Sequence, residues 1–266
     1  MRPAAAREPH RLASAGGRRG FRDALRGEGV SVIAEIKRRS PSRGALRAGA
    51  DAVALARAYE AGGAACVSVL TDGERFDGSA QDLRDVRAAV GVPVLRKDFL
   101  TSEQDIRETR EMGADAALVI VADVAPVLLG PLHDLAFELG LDVLTEIRTE
   151  SELEAAAECG ADMIAVNQRN DPKDAEFTVE YDKAARMGPL FDQLGPGIVK
   201  VAASGIGVPG GTTIAEIAAA GYDAALIGEA LVVADDPAAT LRSLGRSATE
   251  PRPVPAGRSR RSTASL

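Results

Sequence analysis

Histidine, cysteine and lysine are all scarce in this 266-residue chain, and each shortage excludes a chemistry. Two cysteines, Cys66 and Cys159, are too few for a disulfide framework and lack metal-ligand spacing. Both fall in element-like segments and read as buried thiols of a reducing cytoplasm. The two histidines are His10, in a leader without hydrophobic period, and His133, in mid-helix where a structural role is expected. Acid–base work then falls to carboxylates and lysines. No apolar run approaches the roughly 18 residues of a membrane span. The N-terminus lacks the apolar core of a secretory signal, and although it is Arg-rich like a transit peptide, Glu8 and the early folded pattern argue against one. A basic surplus is missing too: 32 basic against 39 acidic residues give a net charge of −7, against general nucleic-acid binding. We expect a cytoplasmic monomer acting on a small molecule, with neither nucleic acid nor membrane as partner.

Lysine occupies only five positions (Lys37, Lys97, Lys173, Lys183 and Lys200), so arginine carries nearly all the positive charge. Lys37 and Lys97 nevertheless end apolar runs. A desolvated lysine can lose its proton whereas arginine effectively cannot, so these two positions suggest groups whose pKa has to move. Lys37 belongs to Val32-Ile33-Ala34-Glu35-Ile36-Lys37, and in an extended strand Glu35 and Lys37 point to the same side. The stretch alone allows two readings: charges that tune each other or grip a substrate, or a surface ion pair contributing ~0.5 kcal/mol.

The hydrophobic share of 45% can build a sizeable core. Short runs rich in Val, Ile, Leu and Ala predict strands at 31–36, 66–70, 92–97, 115–121, 141–146, 163–166, 198–202 and 224–227. Amphipathic segments at 51–63, 82–90, 103–112, 126–139, 151–159, 180–190, 212–220 and 236–244 predict helices between and after them, with a short helix at 21–26 before the first strand. A local signature recurs at Gly63-Ala64-Ala65, Gly113-Ala114-Asp115, Gly160-Ala161-Asp162 and Gly221-Tyr222-Asp223. Each is a helix C-cap glycine feeding a tight turn into a strand, and the roughly 50-residue spacing equals two βα units. Continuous apolar strands suit a parallel sheet covered on both faces. Eight βα units without a composition break predict an α/β fold, a (β/α)8 TIM barrel over residues 21–245. Residues 1–20 read as a disordered leader and 246–266 as a disordered basic tail.

In such a barrel the active site lies at the C-terminal ends of the strands. The polar residues there are Glu35 and Lys37, Lys97, Glu146, Asn167 with Arg169, Ser204, and Gly228-Glu229, a credible converging acid–base set. Ser204-Gly205-Ile206-Gly207 and Ile227-Gly228-Glu229-Ala230 offer backbone N–H groups to a phosphate. Gly205 to Gly210 also matches a dinucleotide fingerprint. It follows the seventh strand, has Pro209 in the turn and lacks the later acidic residue, so it is set aside.

Ala34-Glu35-Ile36-Lys37 with Ser40-Pro41-Ser42, Leu95-Arg96-Lys97-Asp98-Phe99, Leu144-Thr145-Glu146, Val166-Asn167 with Arg169-Asn170, and Ala203-Ser204-Gly205-Ile206 together resemble the indole-3-glycerol phosphate synthase family over residues 21–244. The resemblance implies ring closure with decarboxylation and dehydration of 1-(2-carboxyphenylamino)-1-deoxyribulose 5-phosphate, in tryptophan biosynthesis or tryptophan-derived secondary metabolism, without metal or organic cofactor. It implies Lys97 as general acid at the substrate carbonyl, Glu146 as its acid/base partner, and Lys37 as holder of the carboxylate. Glu35, Asn167 and Ser204 would orient substrate and catalytic groups. Phe76 and Phe99 would flank the aromatic ring, and Ser40, Arg169, Gly205, Gly228 and Glu229 would surround the phosphate. Three departures point to a divergent copy: Ala203 where the family has a glutamate, unusual loops at 170–174 and 207–211, and an abbreviated segment before the first strand. The alternatives are another phosphosugar isomerase or aldolase with a Schiff-base lysine, and a catalytically impaired paralogue that binds without turnover.

Overall fold

Eight parallel strands close into a barrel in chain order in the computed structural model, which describes residues 19–170 and 178–247. They are β1 (Ser31–Ile36), β2 (Cys66–Leu70), β3 (Val94–Lys97), β4 (Ala116–Ile120), β5 (Asp142–Ile147), β6 (Met163–Asn167), β7 (Val199–Ala203) and β8 (Ala224–Ile227). Each strand is followed by helix, and β8 pairs with β1 to complete the ring. The (β/α)8 expectation is met. Among the described residues no helix is long and apolar enough to cross a membrane.

Local chemistry explains the alternation. Asp51 accepts from the N–H groups of Val53 and Ala54 to start the helix Ala52–Ala61, and Ser102 forms a capping box with Asp105 to start Glu103–Glu111. The repeated glycines Gly63, Gly113, Gly160 and Gly221 have φ of 94°, 87°, 80° and 81°, the left-handed turn that ends a helix and feeds the next strand. Inside the barrel, Ile33, Leu95, Leu144 and Val201 are fully buried, each worth roughly 1.5–3 kcal/mol relative to exposure.

The N-terminal end of the barrel is plugged by the short helix Phe21–Ala24. Phe21 and Leu25 join the core formed by Ile33, Cys66, Met163, Val199 and Ala224. Polar bonds seat the plug: the Arg22 N–H donates to Asp142 at 3.1 Å, and its guanidinium pairs with Asp162 at 2.9 Å. Arg19 adds to it, its N–H donating to Asp115 and its guanidinium to the Val92 carbonyl. Arg19 and Gly20 are thus the first residues described, and residues 1–18 of the expected leader lie outside the described residues. At the other end the last helix, Pro237–Ser247, runs past residue 245. The rest of the tail, 248–266, is likewise outside the described residues.

Sequence periodicity misses several short elements. They are the antiparallel hairpin Arg39–Ser40 with Gly44–Ala45, the helices Gly73–Phe76 and Glu229–Val232, and the 3-10 turns Val121–Asp123 and Gly188–Gln193. None is long enough to show a period. Gly73–Phe76 is held by a side-chain cap, Asp72 accepting from the Arg75 N–H. Cys66 is buried as expected, but Cys159 is only half-buried because it forms the C-cap of Glu150–Glu158. His133 is buried and hydrogen-bonded to Thr145 on the outer face of β5.

Asp115 is a buried carboxylate that joins three separate segments. It accepts from the Val94 N–H at 2.9 Å and the Arg19 N–H at 3.2 Å, and pairs with Arg87 at 2.9 Å, tying leader, helix and strand together. Asp115→Ala leaves a partly exposed guanidinium and a buried N–H unpaired. We expect a loss of about 2–4 kcal/mol in urea denaturation; a change within 0.5 kcal/mol, the ordinary range for surface sites, would refute this role.

Candidate active site

Strand register decides what meets at the mouth. Glu35 pairs across β2 at Ser68 with Leu95, two residues below Lys97. The same double step leads from Lys97 to Glu146, from Glu146 through Ala165 and Val201 to Ala203, and from Ala203 through Leu226 and Ile33 back to Glu35. Glu35, Lys97, Glu146 and Ala203 are thus one four-membered layer contributed by alternate strands. The equivalent layer beneath is Ile33, Leu95, Leu144 and Val201, wholly apolar and buried. Charge begins abruptly one layer up, at the floor of a cavity of about 770 Å³.

All the residues singled out in the sequence line this cavity: Glu35, Lys37, Ser40, Phe76, Lys97, Phe99, Glu146, Asn167, Arg169, Ser204, Gly205, Gly228 and Glu229. Lys97 Nζ lies 3.4 Å from Glu146 Oε2, and Lys37 Nζ lies 2.7 Å from Glu35 Oε1. With Glu35 only 4% exposed, the pair is no surface ion pair. Gly228 shows how tightly Glu35 is seated, since a Cβ there would come within 2.5 Å of Glu35 Oε1.

Burial alone would favour neutral forms in the central pair, but opposite charge wins. Desolvation pulls the Lys97 ammonium down, yet the carboxylates of Glu146 and Glu35 outweigh it and hold its pKa above the ordinary lysine value. Desolvation likewise pushes the Glu146 carboxyl up, while Lys97, Arg148 and an Asn167 hydrogen bond hold it below the usual range. The pair is therefore ammonium and carboxylate at neutral pH.

A hydrogen-bonded chain leads from this pair to the rim. Asn167 Nδ2 donates to Glu146 Oε1 at 2.7 Å, and Asn167 Oδ1 accepts from Ser204 Oγ at 2.7 Å and the Arg169 N–H at 3.0 Å. Ser204 has φ of +72°, a left-handed conformation that costs a non-glycine residue about 1–3 kcal/mol. Gln168, fully buried, donates to the Ser204 carbonyl at 2.9 Å and helps to hold that turn. On the same side, Ser40 accepts from the Arg43 N–H, Arg43 pairs with Glu229 at 3.2 Å, and Arg169 lines the wall. Burial lowers the Arg169 pKa, although Glu229 and Tyr181 oppose the effect.

The opposite wall is aromatic. Phe76 and Phe99 stack with centroids 6.3 Å apart and planes at 22°, and the Arg75 guanidinium lies 4.3 Å from the Phe99 centroid. A third ring between them would need two stacking gaps of about 3.5 Å each, so the two phenyl groups present a shelf rather than a slot.

Arg148, Asp123, Arg75 and Arg43 were absent from the sequence-derived set. Arg148 had a usable signal: it follows Glu146 by two residues, as Lys37 follows Glu35. Asp123 and Arg75 sit on short turns that carry no periodic signal. The unusual loop at 170–174 falls, beyond Asn170, outside the described residues. Asn170 itself accepts from Lys183 Nζ at 3.0 Å.

Comparison with known proteins agrees with this geometry. The sequence profile described as indole-3-glycerol phosphate synthase matches residues 5–244. The indole-3-glycerol phosphate synthase of Mycobacteroides abscessus is 47% identical over 234 residues, covering 88% of this chain and 83% of its own. Those of Streptomyces griseus and Chlorobium phaeovibrioides are each 47% identical over 228 residues, covering 86% and 85% of this chain and 82% and 84% of theirs. The chain belongs to the indole-3-glycerol phosphate synthase family.

Proposed function

We propose that this chain is a carboxy-lyase of tryptophan biosynthesis that converts 1-(2-carboxyphenylamino)-1-deoxyribulose 5-phosphate into indole-3-glycerol phosphate, carbon dioxide and water. The observation that carries the proposal is the Lys97–Glu146 pair, 3.4 Å apart at the floor of a cavity with an aromatic shelf on one wall and an arginine-bearing rim on the other. A substrate with an aromatic acid at one end and a phosphate at the other fits that polarity.

The substrate's ring rests on Phe76 and Phe99, and its carboxylate meets Lys37. The phosphate sits among Ser40, Arg169 and the backbone of Gly205, Gly228 and Glu229. The ring carbon bearing the carboxylate attacks the ketone while Lys97 Nζ passes a proton to the carbonyl oxygen, avoiding a bare alkoxide. Loss of carbon dioxide restores the aromatic ring, and departure of the new hydroxyl as water completes the indole, with Glu146 exchanging protons. Asn167 and Ser204 keep Glu146 aimed, and Glu35 pairs with Lys37 and helps to keep Lys97 charged. No metal or organic cofactor takes part, and the enzyme works as a cytoplasmic monomer.

Ala203 favours a second reading, a slow or binding-only copy, because one corner of an otherwise charged layer is a methyl group. Fluorescence of the indole product decides between them. We expect turnover by the wild-type chain and a loss of at least about a hundredfold in Lys97→Ala; no turnover above background would leave the binding-only reading. Ala203→Glu should speed the enzyme at least about tenfold, since one well-placed transition-state contact is worth roughly 3–4 kcal/mol. An active variant no faster than wild type would show that this corner does not limit the rate. The sign of the two pKa displacements also predicts kcat/KM. It should hold level through neutral pH, falling on the acid side below the ordinary glutamate value of about 4.3 and on the alkaline side above the ordinary lysine value of about 10.4. An enzyme-derived limb between pH 6 and 9 would assign the chemistry to other groups.

A further inference from the structure

Each carboxylate of the catalytic layer carries a cation two residues further along its own strand direction. Glu35 has Lys37 at 2.7 Å, and Glu146 has Arg148, whose Nη2 lies 3.5 Å from Glu146 Oε1. The Arg148 side chain is 10% exposed and borders the cavity. Glu146 is thereby enclosed by Lys97 on Oε2 and by Asn167 and Arg148 on Oε1. We propose that Arg148 is a positioning residue that keeps Glu146 an aimed carboxylate throughout the cycle by remaining charged when Lys97 does not.

The physical need follows from the proton transfer proposed above, on which this inference rests. When Nζ gives its proton to the carbonyl oxygen, lysine becomes a neutral amine and the carboxylate 3.4 Å away loses its counter-charge. A carboxylate only 2% exposed would then draw a proton itself and cease to be a base. A guanidinium does not deprotonate in this range, so Arg148 leaves the site compensated in both halves of the reaction. It also repels the Lys97 ammonium, which makes that lysine a readier acid than Glu146 alone would allow. The remaining charged groups lining the cavity are Glu35 and Lys37 from β1, Arg75 and Asp98 after β2 and β3, Asp123 after β4, Arg169 after β6, and Glu229 after β8.

Removing a cation raises the pKa of both neighbours, so the two should move in the same direction. For Arg148→Met we expect kcat to fall about tenfold with KM within twofold, and the acid limb of kcat to move up by about one pH unit. Arg148→Lys, which retains the charge, should recover most of the rate and the original limb. Should Arg148→Met fail to fold, Arg148→Gln carries the same expectation. Competitive acetylation of Lys97 across pH, read by mass spectrometry on the unliganded chain, measures its pKa without turnover and should show it raised in the Met and Gln variants. An acid limb and a Lys97 pKa that stay put in folded neutral variants would overturn the proposal. A tenfold rise in KM at constant kcat would instead make Arg148 a substrate contact. If the wild-type chain fails to turn over, the catalytic reading fails separately, and the labelling result still tests the charge coupling.

Discussion

An ammonium held between carboxylates above an apolar floor is the interaction on which the site depends. Lys97 stands near Glu146 and within the field of Glu35, while the layer beneath is Ile33, Leu95, Leu144 and Val201. Water cannot stabilise these charges from below, so they must stabilise one another. That requirement explains the close pairing of Lys37 with Glu35, the two-sided support of Glu146, and the glycine at 228, where any side chain would press on the Glu35 carboxylate.

The barrel supplies the precision. A parallel ring stepping up two residues every second strand returns to Glu35 only if every register holds, and the pairings observed do so. Residues far apart in sequence then share one level without any flexible loop between them, which limits the reorganisation needed when charge moves. Among the described residues two non-glycine positions, Asp77 and Ser204, take a left-handed backbone, and Ser204 at the rim offers its hydroxyl to Asn167. Ala203 is the exception in the layer. Its methyl group leaves the β7 corner without charge, and the remaining groups, including Arg148, must balance the site.

Much of this was legible in the chain. The recurring glycine turns marked the βα units because a helix ending in a left-handed residue has few substitutes for glycine. Lys37 and Lys97 stood out because the chain otherwise prefers arginine, and period-two alternation put Glu35 beside Lys37. Less legible were the hairpin at Arg39–Ser40 and the four-residue helices, whose few residues carry no period, and the anchoring of Arg19 by Asp115, a contact spanning 96 residues.

Local alternation, capping and turn chemistry already specify the eight βα units, the polarity of each strand end and the candidate residues. Three-dimensional packing was needed to place Glu35, Lys97, Glu146 and Ala203 in one layer, to bury Glu35 while its partner Lys37 stays partly exposed, and to bring Arg148 to Glu146. Those outcomes depend on the register and closure of the ring, which no stretch of chain encodes alone.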